Sequence, residues 1–356
     1  MKRQIVIEEH TTVHAELSTS QLRTSGRPRL IVRCTLGEQV VFGEASPLPG
    51  FGCDSLESAR ASLQVLSVDQ IEAGAAWLVE QFRAHGACTV LADWLRLNEV
   101  FSTSSPAARF CWEMLCARRA AQLCDVSLFR LLGRDVAGRQ LLTSQVLDPL
   151  APELLEKARS FFAQGVATFK LKCGRSLNDE VQAIRLLSQA LGDSLRLRID
   201  VNRAFTAQQA HQLLGELRDL PIEWFEDITD DPAGWESLRA PGVRLAVDEA
   251  LGDGDVEVAR YADVLVVKPM ALGGFSAGLK WRDWAEQAGK TICVSHLFDG
   301  ALSLEATCAL AFCIQSFPGA AGLSAHAGLW GEDISQQGAS KFSWLMPERM
   351  IVPNSP

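Results

Sequence analysis

The chain has 356 residues, 47% apolar and 22% charged, with 34 basic against 43 acidic side chains and a formal charge of −9. That length suits two domains, and that composition suits a soluble globular fold with ample core. The negative balance supplies no phosphate-binding field, which argues against nucleic acid or an anionic membrane surface as a partner. Lys2 and Arg3 are not followed by an apolar run of roughly 7–15 residues, so no secretory signal is expected, and no stretch approaches the about 18 apolar residues of a membrane span. Ten cysteines without a CxxC pair, several of them in apolar helical patterns (Cys111, Cys116, Cys308, Cys313), read as reduced and buried thiols of a cytoplasmic protein.

In chain order, residues 1 to about 50 alternate as strands do, through TVHAEL and RLIVRCTLGEQVVFGEA, with GEQ as a hairpin turn. The loop SPLPGFGCDS follows, and then helical patterns: SLESARASLQVL, DQIEAGAAWLVEQFRAH and SPAARFCWEMLCARRAAQLC, for which Ser55 and Asp69 suit N-caps. The spacing predicts an α+β capping domain over 1–132, with a lid loop at 43–55. From about 140 the rhythm changes to alternating strand and helix. Strands are expected near 140–146, 166–172, 195–200, 221–226, 243–248, 263–268, 291–295 and 319–324, with Gly165 and Gly289 where helices should end. Eight such units in under 200 residues make an α/β fold, a modified (β/α)8 barrel, over 133–325. A doubly wound open sheet is the alternative, although no GxGxxG or GxxxxGK[ST] follows any strand. Residues 326–356 lack a clear repeat and are expected to pack back on the capping domain. Nothing in the sequence fixes an oligomeric state.

Five successive strands end in charges: Lys172, Asp200, Glu226, Asp248 and Lys268, at spacings of 28, 26, 22 and 20 residues. Each spacing is about one βα unit, so the five charges share one rim, the face where barrel enzymes keep their chemistry. One charged strand end is ordinary, because polar loops begin there. Five in a row, with complementary signs and apolar surroundings in LAVDEA and VVKPM, are not. Asp200, Glu226 and Asp248 offer hard oxygen ligands with no His or Cys among them, which selects Mg2+ (or Mn2+) over zinc. Without a cation, three carboxylates this close repel and one takes up a proton. Beside a divalent cation a partly dehydrated lysine falls in pKa, which makes Lys172 or Lys268 a usable base. Strand parity puts Lys170 below Lys172 and Arg198 below Asp200. Both are expected to neutralise the carboxylate layer above them.

The K-x-K at Lys170–Lys172, the D-x-N at Asp200–Asn202, Glu226 in WFED, the DE at Asp248–Glu249 and the KP at Lys268–Pro269 together resemble the enolase superfamily, muconate-lactonising subgroup, over essentially the whole chain. The resemblance implies a capping domain plus a modified barrel, Mg2+ held by Asp200, Glu226 and Asp248, and Lys172 and Lys268 on opposite faces of a small carboxylate substrate. Asn202 and Glu249 enter as supporting residues.

The loop GEASPLPGFGCDSLESA (43–59) resembles the lid of o-succinylbenzoate synthases, with Leu48 and Phe51 as apolar residues that exclude water. Related dipeptide epimerases carry a D-x-D at the eighth strand; here the region reads GLSAHAGL. Where relatives often have Ser-Ser-x-x-Glu-Ser after strand seven, this chain has VSHLFDGAL, with Asp299 in place of the Glu. Ser295 and Asp299 are carried over as substrate contacts, and His296 is read as a loop histidine. The resemblance implies a lyase, a synthase-like dehydratase of menaquinone biosynthesis. A racemase, epimerase or cycloisomerase of the same subgroup and a Schiff-base aldolase stay open.

Overall fold

The computed structural model describes residues 3–12, 17–18, 23–24, 27–48, 54–133, 138–253, 256–324, 326 and 349–351. The N-terminal part is a three-stranded antiparallel sheet with helices packed on it. Strand β1 (Arg3–Thr12) pairs with β4 (Arg27–Leu36), which turns at Gly37–Glu38 into β5 (Gln39–Ala45). The short strands β2 (Leu17–Ser18) and β3 (Arg23–Thr24) pair with each other. Five helices follow: α1 (Leu56–Gln64), α2 (Val68–His85), α3 (Leu91–Val100), α4 (Pro106–Cys124) and α5 (Leu128–Leu132). Ser55 caps α1 as its position suggests. The N-cap of α2 is Ser67, two residues before the expected Asp69, because Ser67 and Gln70 form a reciprocal capping box and Asp69 lies in the first turn. Helix α4 is buried on nearly every side, and its run of Ala, Cys and large apolar residues suits a central position.

The second part alternates strand and helix. After β6 (Gln140–Leu142) come β7 (Gln145–Leu147), α6 (Leu154–Ala163), β8 (Thr168–Lys172), α7 (Leu177–Leu191), β9 (Arg196–Asp200), α8 (Ala207–Leu217), β10 (Ile222–Glu226), β11 (Leu245–Val247), α9 (Val256–Arg260), β12 (Val264–Val267), α10 (Pro269–Leu272), α11 (Phe275–Ala288), β13 (Thr291–Val294) and α12 (Ala301–Ile314). Strands β7 to β13 form one parallel seven-stranded sheet in chain order. Ala321 bridges to Thr143 on one edge and Gly322 to Ser295 on the other, so this segment joins the two edges and closes the ring. The expected eighth strand is thus reduced to two bridges. The expected first strand is split: β7 enters the ring, whereas β6 pairs antiparallel with β14 (Arg349–Ile351). The expected helix at DPAGWESLRA is a 3-10 turn over Pro232–Leu238. Apart from His326 and β14, residues 326–356 lie outside the described residues, as do Phe51 and Cys53. The nine described cysteines are free, and among the described residues no helix is long and apolar enough to cross a membrane.

Inside the ring, parallel register stacks side chains in ranks. Lys172, Asp200 and Glu226 stand side by side, and Lys170, Arg198 and Trp224 form the rank beneath. Below the rim a separate apolar cluster of Trp224, Ala246, Val264, Val266, Cys293 and Phe317 fills the ring. Arg198 belongs to this lower layer. Its guanidinium lies 4.0 Å over the Trp224 ring, its Nε donates to Glu223 at 2.7 Å and its Nη1 to Ser144 at 3.2 Å, and its Nη2 donates to the Ala320 carbonyl. The expectation that Arg198 neutralises the rim carboxylates is therefore corrected: Glu223 is its counter-ion, and the side chain ties β9 to the closing segment. Removing one partner of a buried pair strands the other, so Arg198→Ala should lower unfolding free energy by about 3 kcal/mol in urea titration. A loss near zero would contradict this placement.

Candidate active site

Asp200 and Glu226 end β9 and β10, and Asp248 directly follows β11. One carboxylate oxygen from each lies within 4.8 Å of the other two, and all three residues are buried. This all-oxygen donor set, at that separation, fits a single hard divalent cation. Three lysines reach into the same space. Lys170 Nζ lies 2.7 Å from Asp200 and 2.5 Å from Glu226; Lys172 Nζ donates to Asp200 at 2.5 Å and to Asn202 Oδ1 at 3.2 Å; Lys268 pairs with Asp248. Lys170 thus lies between two of the three acids.

The turn after β9 sets up the supporting contacts. Asn202 and Arg203 adopt φ of 48° and 61°, and the Asn202 N–H donates back to Asp200 Oδ1 at 3.1 Å, a local turn that Asn tolerates. Asn202 Nδ2 then donates to Glu249 at 3.1 Å, so Asn202 links Lys172 to Glu249. Asp227, missed as a site residue from sequence, orients Asp248: its carboxylate accepts from the Asp248 N–H at 3.3 Å and the Glu249 N–H at 3.0 Å. Its signal was available, an acid immediately after a ligand acid. Trp224 Nε1 likewise donates to Glu226 at 3.2 Å.

Burial and crowding decide the protonation states. Burial alone would raise Asp200, but Lys170 and Lys172 hold it well below the ordinary range; burial likewise works against the charge on Asp248, and Lys268 and Lys170 bring it below its ordinary value. Glu226 goes the other way, pushed up to about 8 by burial and by Asp200 and Asp248. One carboxylate of the three therefore takes up a proton when no cation is present. Burial works against the charge on Lys170 and Lys268, yet the surrounding carboxylates raise both above the ordinary range.

The substrate contacts expected from sequence are placed less uniformly. Ser295 is half-buried, and its Oγ donates to the Gly322 carbonyl at 3.1 Å. Leu48 is part of the buried core. Asp299 has 0% exposure and lies 3.9 Å from Arg27 of β4. Its expected role as a substrate contact is corrected, because Phe298 at φ 54° turns the loop so that Asp299 faces the cap, with no surface open to a ligand. His296 donates from Nε2 to the Ser324 carbonyl at 3.0 Å and accepts the Phe298 N–H on Nδ1 at 2.9 Å. His326 donates to the Asp299 carbonyl at 2.7 Å and stacks on His296. Burial drives the two rings down to about 3 and about 4, so both are neutral.

A family model described as enolase C-terminal domain-like matches residues 153–340, which include all three acids and all three lysines. The chain belongs to the enolase superfamily. It is 32% identical over 179 residues to the o-succinylbenzoate synthase of Thermobifida fusca, a match covering 48% of this chain and 55% of that relative's length. It is 26% identical over 291 residues to the L-Ala-D/L-Glu epimerase of Bacillus subtilis, covering 78% and 75%. Its fold matches that of a dipeptide epimerase from Enterococcus faecalis V583 complexed with Mg and the dipeptide L-Leu-L-Tyr, with TM-score 0.74, 20% identity and coverage of 91% and 90%. The capping sheet and the parallel ring are thus those of the superfamily.

The shifted carboxylates set the pH response. Burial raises Glu226 to about 8 and Asp227, Glu113 and Asp299 to about 7. These groups keep protons in the folded chain that the unfolded chain releases, so their contribution is present at low pH and lost as pH rises through 7 to 8. The two depressed histidines act oppositely, but only below their ordinary value of 6.5. In EDTA the melting temperature should therefore fall between about pH 6.5 and 8.5, measured by scanning calorimetry. A rise over that interval would contradict the assignment.

Proposed function

We infer that the protein is a Mg2+-assisted, o-succinylbenzoate synthase-like dehydratase serving menaquinone biosynthesis, and that its substrate is a hydroxylated cyclohexadiene carboxylate carrying a succinyl tail. The observation that carries this reading is the charge and arrangement of the rim. Three carboxylates face three lysines, so with Lys172 as the free amine a bound divalent cation still leaves an excess of positive charge, which an anionic acid offsets. The closing segment reads GLSAHAGL, with Ser324 and the neutral His326 and no D-x-D pair of the kind that grips an α-ammonium group. The Mg-bound state of the Enterococcus faecalis epimerase supports the cation in this reading, and the identity to the Thermobifida fusca synthase supports the dehydratase.

When bound, Mg2+ held by Asp200, Glu226 and Asp248 supplies positive charge for the negative charge that develops on the substrate carboxylate. Lys172 Nζ, as the free amine, takes the proton from the carbon α to that carboxylate. The C–H electron pair moves into the ring, the C–O bond to the hydroxyl breaks, and the Lys172 ammonium returns the proton to the departing oxygen as water. Lys268 remains protonated on the opposite face, as a cation beside the developing anion. Because an aromatic ring forms, the step is strongly downhill.

Lys172→Ala should lower turnover by about 10³-fold or more, the upper range for a positioned base, while Mg2+ still binds by calorimetry. Aromatisation is followed by ultraviolet absorbance with Mg2+ and with EDTA. A fully active variant, or full activity in EDTA, would remove this mechanism. One observation favours a second reading: the epimerase of Bacillus subtilis matches 78% of this chain against 48% for the Thermobifida fusca synthase. A racemase or epimerase would use Lys172 and Lys268 as a two-sided pair. In D2O it would exchange the α-proton of an N-acylamino acid or dipeptide, whereas the dehydratase reading expects no such exchange.

A further inference from the structure

Two barrel helices begin against the cap rather than against solvent. Helix α11 starts just after the segment that carries Lys268, and α12 starts just after the loop from Ser295 to Asp299. Their N-cap residues, Gly274 and Gly300, have no side chain to accept from the first free amides, so each helix needs an acceptor from elsewhere. In both cases it is a carboxylate of the cap.

Glu44, the second-to-last residue of β5, accepts the Gly300 N–H at 2.7 Å and the Ser303 N–H at 3.2 Å. Glu113, in the middle of α4, accepts the Ser276 N–H at 3.1 Å, with Asn98 Nδ2 donating to its other oxygen at 2.6 Å. Both glutamates have 0% exposure. The glycines suit the arrangement. A Cβ at Gly300 would stand 2.5 Å from Glu44 Oε1, and one at Gly274 (φ 92°) would collide with Glu113 Oε2. Two further ties join the same elements: the Ser46 N–H meets Met270 Sδ at 3.4 Å, two residues past Lys268, and Arg27 faces Asp299.

We propose that Glu44 and Glu113 are positioning residues: by capping α12 and α11 across the domain junction, they place the rim segments carrying Ser295–Asp299 and Lys268. A carboxyl oxygen at a helix N-terminus accepts from the first free amides whether or not the group is ionised, a charge there adds to the stabilisation, and both side chains are buried. The cap therefore completes two segments of the barrel rim as well as covering it. The geometry stands independently of the reaction; only the kinetic arm of the test rests on the dehydratase reading.

The test is hydrogen–deuterium exchange by mass spectrometry on the full chain. Glu44→Gln keeps the volume and one acceptor but loses the charge and the second acceptor. It should speed exchange about tenfold in peptides covering 296–304, and Glu113→Gln should do the same for 270–278, with α7 peptides unchanged in both. Gly300→Ala, which displaces Glu44 without removing it, should reproduce the Glu44→Gln pattern, and the double variant should add little to either. Unchanged exchange in these peptides, equal acceleration throughout the chain, or full additivity would each overturn the proposal. In the kinetic arm, Glu44→Gln should lower kcat/KM about tenfold with Mg2+ affinity retained, and Glu44→Asp should recover part of the loss. Loss of kcat/KM and Mg2+ affinity together would count against a positioning role. A wild-type chain inactive on the synthase substrate would overturn the dehydratase reading alone, because the exchange pattern is read without substrate.

Discussion

Three buried carboxylates within 4.8 Å of one another are the constraint around which the rest of the barrel rim is arranged. Left alone they would repel strongly, since the low local dielectric that makes a good metal site also amplifies like-charge repulsion. The chain answers with lysines rather than distance. Lys170 rises from the rank below to bridge Asp200 and Glu226, Lys172 closes on Asp200 from the neighbouring strand, and Lys268 holds Asp248 from the other side. The oxygens that pair with these ammonium groups are the same ones that would hold a cation.

Holding charged oxygens in place requires a stiff backing. The apolar layer beneath, with Trp224 and Phe317 edge to face at 4.8 Å, fills the ring, and Arg198 crosses it to the closing segment. Above that layer, backbone amides and side chains orient the acids individually: Trp224 Nε1 on Glu226, the Asn202 N–H on Asp200, and Asp227 gripping the amides of residues 248 and 249. The rim is thus ordered before any ligand arrives, which is what a site that stabilises developing charge needs.

Much of this was legible in the sequence, for a physical reason. Parallel strands in a barrel all end on one face, so charges spaced by one βα unit must converge, and the five strand ends were readable as a set. Lateral direction was not readable. Parity placed Arg198 one layer below Asp200, but its partner is Glu223, which alternation alone would send away from the ring. The register shift between Ile222 and Trp224 turns it back. Asp299 was misassigned for a similar reason, since a single positive φ at Phe298 decides whether the loop faces ligand or cap. The contacts between Glu44 and Gly300, and between Glu113 and Ser276, join residues 256 and 163 positions apart and leave no local pattern to find.

The paired glutamates and glycines at the domain junction also bear on how this architecture can be recombined. A cap domain taken from a relative brings its own residue at position 44 and its own at 113, while the recipient barrel keeps what stands at 274 and 300. A methyl group at either glycine meets a buried carboxylate, and a missing glutamate leaves a helix start without an acceptor inside the junction. Viable chimeras therefore inherit each glutamate together with its glycine, and substitutions at these four positions are expected to travel in pairs through any lineage that shuffles the two domains.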